Sequence, residues 1–209
     1  MTKLQVAIDL LTTEDAIALA TKVAPYVDII ELGTPLIKSE GLAVITAMKK
    51  AFPDKLVFAD FKTADAGELE AEMAFKAGAD YITILGATGD STIVGAVKAA
   101  KAYGKAVVVD TIGVKDRVKR AQEVYALGVE FVELHAGLDE QAEDGYSIQV
   151  LIDEASRAGV PVSIAGGVNL SSIKAVKDSG AVVAVAGAAI YGAKDPAQAA
   201  KELKELLNA

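Results

Sequence analysis

Phe58-Ala59-Asp60-Phe61-Lys62-Thr63-Ala64-Asp65 closes an apolar run that begins at Leu56 and leads into a helical pattern at 66–77. Side chains alternate along a strand, so Asp60 and Lys62 are expected on the same side of it. Asp65 falls where the strand gives way to the helix. Two carboxylates and an ammonium this close together shift one another's proton affinities, which a purely structural strand end has little reason to carry. The stretch reads as one strand–helix unit with chemistry at the strand's carboxyl end.

The same unit recurs from end to end. Apolar segments expected as strands run Leu4 to Asp9, Val27 to Leu32, Leu56 to Asp60, Tyr81 to Leu85, Ala106 to Asp110, Phe131 to His135, Val160 to Ile164 and Val182 to Val185. Helical patterns fall between and after them, at 13–24, 40–51, 66–77, 90–103, 115–127, 147–158, 170–178 and 196–207. Such alternation is the mark of βα units around a parallel sheet. Eight of them point to a single (β/α)8 TIM barrel over 1–209 rather than an open doubly wound sheet, although periodicity alone leaves closure open.

Composition agrees. The chain has 209 residues, and one α/β barrel occupies about 200 to 250. Its 52% hydrophobic content with only 5% aromatics suits strands buried on both faces. With 29 acidic against 21 basic residues and no basic run, neither a nucleic-acid surface nor an anionic-membrane surface is expected. A small anionic substrate would need a local positive site. There is no cysteine, which excludes disulfides and thiolate chemistry. The opening residues from Met1 carry no basic region, long apolar run or cleavage site, so a soluble, cytoplasmic protein is expected.

In such barrels the chemistry sits at the carboxyl ends of the strands. Asp9, Asp60 and Asp110 close the first, third and fifth runs, Glu31 stands near the end of the second, and His135 ends the sixth. Glu31 and Asp60, on neighbouring strands, could each give an oxygen to one magnesium ion, which usually takes one or two protein carboxylates; manganese would be accepted too. The alternative is a buried ion network around Lys62. Among Asp9, Asp60 and Asp65, Lys62 should stay charged and serve as an electrophile or acid rather than as a Schiff-base nucleophile. A lysine that only neutralises the acids is the plainer alternative. His135, the one histidine, is the natural general base, although a lone histidine is often structural. Gly166-Gly167 and Gly187-Ala188 follow the last two strands, where barrels of this type commonly hold phosphate. Together these residues describe a sugar-phosphate enzyme working next to a carbonyl, by aldol addition, decarboxylation or isomerisation.

The segments Leu4-Gln5-Val6-Ala7-Ile8-Asp9, Glu31-Leu32-Gly33-Thr34-Pro35, Asp60-x-Lys62-x-x-Asp65, Glu133-Leu134-His135-Ala136-Gly137 and Ala186-Gly187-Ala188-Ala189-Ile190-Tyr191-Gly192 resemble the orotidine-phosphate decarboxylase superfamily over essentially the whole length. Within it the chain is most similar to the 3-hexulose-6-phosphate synthases. That resemblance implies a magnesium-dependent aldol-type lyase that condenses formaldehyde with ribulose 5-phosphate in the ribulose monophosphate pathway of formaldehyde fixation. It implies that Glu31 and Asp60 bind the metal, that Asp9 and Lys62 engage substrate hydroxyls and the enediolate, and that His135 removes the C1 proton. Gly166, Gly167, Gly187 and Ala188 would cradle the phosphate. A homodimer is also implied, with Asp65 reaching into the neighbouring site.

The orotidine decarboxylases carry a lysine where this chain has Glu31. The 3-keto-L-gulonate-6-phosphate decarboxylases, the alternative, typically place arginines shortly after the histidine and in the eighth-strand loop. Neither Ala136-Gly137-Leu138-Asp139 nor Gly187-Ala188 contains one, and Asp110 and Ala165 are the synthase-like choices. A non-catalytic sugar-phosphate binder is disfavoured by the intact acid, lysine and histidine set. A ribulose-phosphate epimerase would need several histidines.

Overall fold

The structure is a computed structural model that describes residues 2–209; Met1, the first residue of the expected 1–209 domain and of the opening segment, lies outside the described residues. Eight strands, β1 (Lys3–Ile8), β2 (Ile29–Leu32), β3 (Leu56–Thr63), β4 (Tyr81–Leu85), β5 (Ala106–Asp110), β6 (Phe131–His135), β7 (Val162–Ala165) and β8 (Val183–Ala186), pair in parallel. They follow sequence order, and β8 pairs back onto β1 to close the barrel. The expected TIM barrel is therefore the fold.

The helices are α1 (Thr13–Val23), α2 (Thr34–Glu40), α3 (Ala43–Ala51), α4 (Gly67–Ala77), α5 (Asp90–Tyr103), α6 (Arg117–Tyr125), α7 (Leu138–Gln141), α8 (Gln149–Ala158), α9 (Ile173–Asp178), α10 (Ala188–Tyr191) and α11 (Pro196–Asn208). The pattern expected at 40–51 corresponds to α3. Ahead of it α2 forms separately, with Pro35 in its first turn and Gly41 (φ 66°) ending it. The four-residue helices α7 and α10, like α2, were not expected, because four residues do not complete an amphipathic repeat.

Strand alternation divides the apolar residues into two cores. Leu4, Val6, Ile8, Ile30, Leu32, Val57, Ile82 and Ile84 face outward under the helices. Ile29, Phe58, Tyr81, Val108, Phe131, Val183 and Val185 fill the barrel. The rings of Phe58, Tyr81 and Phe131 meet at centroid distances of 5.9 Å and plug its interior. What remains open is the end where the strands finish.

At the opposite end Asp80, just ahead of β4, gathers several segments. Its carboxylate accepts from Lys49 on α3 (2.8 Å), from Lys105 ahead of β5 (2.5 Å) and from the Val57 N–H of β3 (2.9 Å). Burial alone would raise the Asp80 carboxyl, but Lys105 and Lys49 hold it below the ordinary value. A lowered folded-state pKa gives stability that is present above the unfolded value and is lost as pH falls through the folded one, which puts the loss below about pH 4. Asp80→Asn is expected to cost about 1.5–3 kcal/mol at pH 7, the range for hydrogen bonds to charged groups. Urea unfolding should show this deficit shrinking below about pH 4.

Candidate active site

Above the apolar plug the inward positions turn polar. Gln5, Glu31, Asp60, Thr83, Asp110, Glu133 and Ser163 are all buried on the strands. A cavity of about 930 Å³ opens above them at the carboxyl ends of the barrel strands, and Asp9, Glu31, Asp60, Lys62, Glu133 and His135 face into it.

Asp60 and Lys62 do converge, with Nζ 2.5 Å from Asp60 Oδ2. The backbone route differs from regular alternation, however. The β3–β4 register shifts between Ala59 and Thr63, and Lys62 takes a left-handed φ of 50°. A non-glycine residue there carries strain of order ~1–3 kcal/mol, which surrounding contacts must hold in place. Thr83 on β4 does so from both sides, accepting from the Lys62 N–H (2.9 Å) and donating its hydroxyl to Asp60 Oδ1 (2.8 Å). Thr34, at the start of α2, donates its hydroxyl to Asp60 Oδ2 (2.7 Å).

Asp110 lies behind His135 and Lys62, fully buried and outside the cavity lining. Its Oδ2 is 2.9 Å from His135 Nδ1 and 3.2 Å from Lys62 Nζ, while Oδ1 accepts from the Ile112 N–H at 2.8 Å. Burial would raise this carboxyl, but His135, then Lys62 and the Ile112 amide, draw it below the ordinary value. A carboxylate acceptor at Nδ1 fixes the proton on that nitrogen and leaves Nε2 as the basic atom. Burial also works against the Lys62 ammonium, yet Asp60 and Asp110 outweigh it and keep the pKa above the usual lysine value.

The remaining acids outnumber the cations around them, and burial pushes their carboxyls toward the neutral form. Burial, and next the Asp60 charge, raise the carboxyls of Asp9 and Glu31. Burial and then Glu31 push Glu133 well up. Hard oxygen donors grouped in this way fit a divalent cation, and Glu31 and Asp60 both border the cavity. Asp110, Glu133 and His135 also bring ligand atoms within 4.8 Å of one another, but Asp110 and His135 are committed to their mutual hydrogen bond.

Gly166, Gly167, Gly187 and Ala188 border the cavity mouth. At Gly166 (φ 114°) a Cβ would lie 2.6 Å from the Ala136 carbonyl oxygen, so only glycine fits. Side-chain donors occupy the neighbouring carbonyls: the Tyr146 hydroxyl reaches Gly166 O at 2.7 Å, and Asn169 Nδ2 reaches Gly167 O at 3.0 Å. Asp65 does not join the site of its own chain. It is exposed and accepts from the Ala66 N–H at 2.7 Å.

Glu133 and Gln5 were missed in the sequence, although each shares strand parity with a noted residue, His135 and Asp9. The α7 wall was missed as well. Its Leu138, Asp139, Glu140 and Gln141 line the cavity, and Arg117 at the start of α6 holds Glu140 at 2.5 Å.

Comparison with known proteins places this geometry. The model of the "Orotidine 5'-phosphate decarboxylase / HUMPS family" matches residues 2–203. The 3-hexulose-6-phosphate synthase of Mycobacterium gastri is 67% identical over 202 residues, covering 97% of this chain and 98% of the relative. A crystal structure of a 3-hexulose-6-phosphate synthase superposes with a TM-score of 0.97 at 66% identity, covering 99% of this chain and 100% of the other. A crystal structure of KGPDC from Streptococcus mutans superposes with a TM-score of 0.93 at 28% identity, covering 99% of this chain and 97% of the other.

Proposed function

The chain belongs to the orotidine 5'-phosphate decarboxylase / HUMPS family and is an enzyme of the lyase type, and from that premise we propose that it condenses formaldehyde with D-ribulose 5-phosphate to give D-arabino-hex-3-ulose 6-phosphate. The observation that carries the proposal is the Asp110 oxygen shared by His135 and Lys62, which sets a base and a fixed cation side by side at the cavity.

The phosphate would rest on the Gly166–Gly167 and Gly187–Ala188 turns, where helix starts and glycine backbones favour anions. His135 Nε2 then takes a proton from C1 of the ketose. The resulting enediolate gains negative charge on oxygen, and the Lys62 ammonium, held charged by Asp60 and Asp110, is there before that charge develops. Glu31 and Asp60 would hold a magnesium ion, whose contribution when bound is Lewis-acid polarisation of the sugar oxygens. Manganese suits the same donors. C1 next forms a bond to the formaldehyde carbon, and the carbonyl π-electrons move to its oxygen. That alkoxide takes the proton from His135, so the step closes with no net proton change.

Asp9 lines the same cavity and is available to the sugar hydroxyls. The proposal includes a homodimer in which Asp65 serves the partner's site. Its support is Asp65's place outside its own cavity and the exposed Leu69 (61%) and Met73 (40%) one turn apart on α4, the helix that follows it. A cytoplasmic location is part of the same proposal, since phosphorylated sugars are anions that membranes retain. Among the described residues no helix is long and apolar enough to cross a membrane.

Formaldehyde consumption with ribulose 5-phosphate, followed with added magnesium and again with EDTA, tests the proposal. Metal-dependent consumption is expected. No consumption at saturating metal, with carbon dioxide released from 3-keto-L-gulonate 6-phosphate instead, would assign the decarboxylase reaction. His135→Asn should lower kcat by about 10²–10⁴-fold, the usual contribution of a positioned base, while ligand binding persists. Asp110→Asn should lower kcat with KM little changed, because the tautomer and the Lys62 charge are both disturbed behind an unaltered cavity wall.

A further inference from the structure

Gln5 on β1 is a buried amide to which the proposed chemistry gives no task. It is fully buried, and its register neighbours on the flanking strands are Ile29 and Val185, both apolar. Packing alone would be served there by an aliphatic side chain of the same length. The amide instead makes one contact: Nε2 donates to Glu31 Oε2 at 2.7 Å. Its Oε1 is buried without any hydrogen-bond partner. Buried polar groups are ordinarily satisfied, so an orphaned acceptor beside a carboxylate needs a reason. The other unpartnered side-chain atoms among the described residues, Arg117 Nε and Glu154 Oε2, belong to a single ion cluster away from the barrel floor.

We infer that Gln5 is a positioning residue for cation binding: its amide N–H holds Glu31, which borders the cavity, in a fixed orientation. The inference rests on the proposal that Glu31 and Asp60 hold magnesium. Ligating carboxylates are commonly oriented by such outer contacts, and losing one typically weakens metal affinity by about 10–100-fold. The free rotation of Glu31 about its side-chain bonds is what the contact removes, so the effect should appear in cation binding before any substrate is present.

The test is Mn²⁺ binding followed by electron paramagnetic resonance, with Mg²⁺ competition, on the substrate-free full chain. Gln5→Met keeps the length and removes the donor, and Gln5→Asn keeps the amide but falls short of Glu31; Glu31→Gln is the ligand control. The wild type should bind Mn²⁺, Glu31→Gln should lose it, and both Gln5 variants should show dissociation constants raised about 10–100-fold. Thermal unfolding in EDTA should show each variant folded, with Gln5→Met no less stable than the wild type, which separates positioning from packing. Wild-type affinity, within about twofold, in a folded Gln5 variant would overturn the role of Gln5 while leaving the metal proposal standing, because an outer contact of this kind is worth at least about tenfold. A wild type that binds no Mn²⁺ would remove the metal proposal and this inference together.

Discussion

One oxygen of Asp110 lies between the imidazole of His135 and the ammonium of Lys62, and the site is organised around it. Asp110 is buried at the end of β5 and anchored through its other oxygen by the Ile112 amide, so it cannot turn away. It sets which histidine nitrogen is basic and, with Asp60 as the stronger partner, keeps the lysine charged. It exerts both effects without lining the cavity. The closed barrel is what makes the bridge possible. Lys62 leaves β3 and reaches across the top of β4 to β5, while His135 comes from β6 on the other side. An open sheet would give no such convergence from three strands onto one atom.

The floor below this bridge is richer in acids than in bases. Glu31 and Glu133 are buried with raised carboxyls, and Asp9 stands at the rim. A protein interior disfavours unpaired charge strongly, so burial holds these carboxyls toward their neutral form, and a bound cation would draw them back to the carboxylate. Strain at Lys62 belongs to the same design. Its left-handed backbone at the β3 bulge aims the side chain over Asp60, and Thr83 and Thr34 lock that geometry with hydrogen bonds.

Much of the fold could be read from the sequence. β4, β5 and β6 begin and end where the apolar runs do, because turn residues bound them closely. β1 stops at Ile8, so Asp9 follows the strand rather than closing it, and β7 and β8 begin one or two residues later than their apolar runs. The helix at 34–40 carried a legible signal, Gly33-Thr34-Pro35, that was outweighed by the stronger pattern at 43–51. α7 and α10 are too short for periodicity to register. The strand-end acids, lysine and histidine were visible as residue types at the right ends. The part played by Asp110 was not, since it depends on contacts across three strands. Gln5 escaped notice because an amide carries no charge to draw attention, although its parity with Asp9 points it inward.

Proton exchange at C1 of ribulose 5-phosphate in deuterium oxide, followed by nuclear magnetic resonance without formaldehyde, tests the Asp110-held base most directly. With the base and the cation in place, the wild type should wash deuterium into C1 in the presence of magnesium, and His135→Asn should not. Formaldehyde addition at full rate with no deuterium entering C1, or undiminished exchange in His135→Asn, would contradict the assignment of His135 as the base.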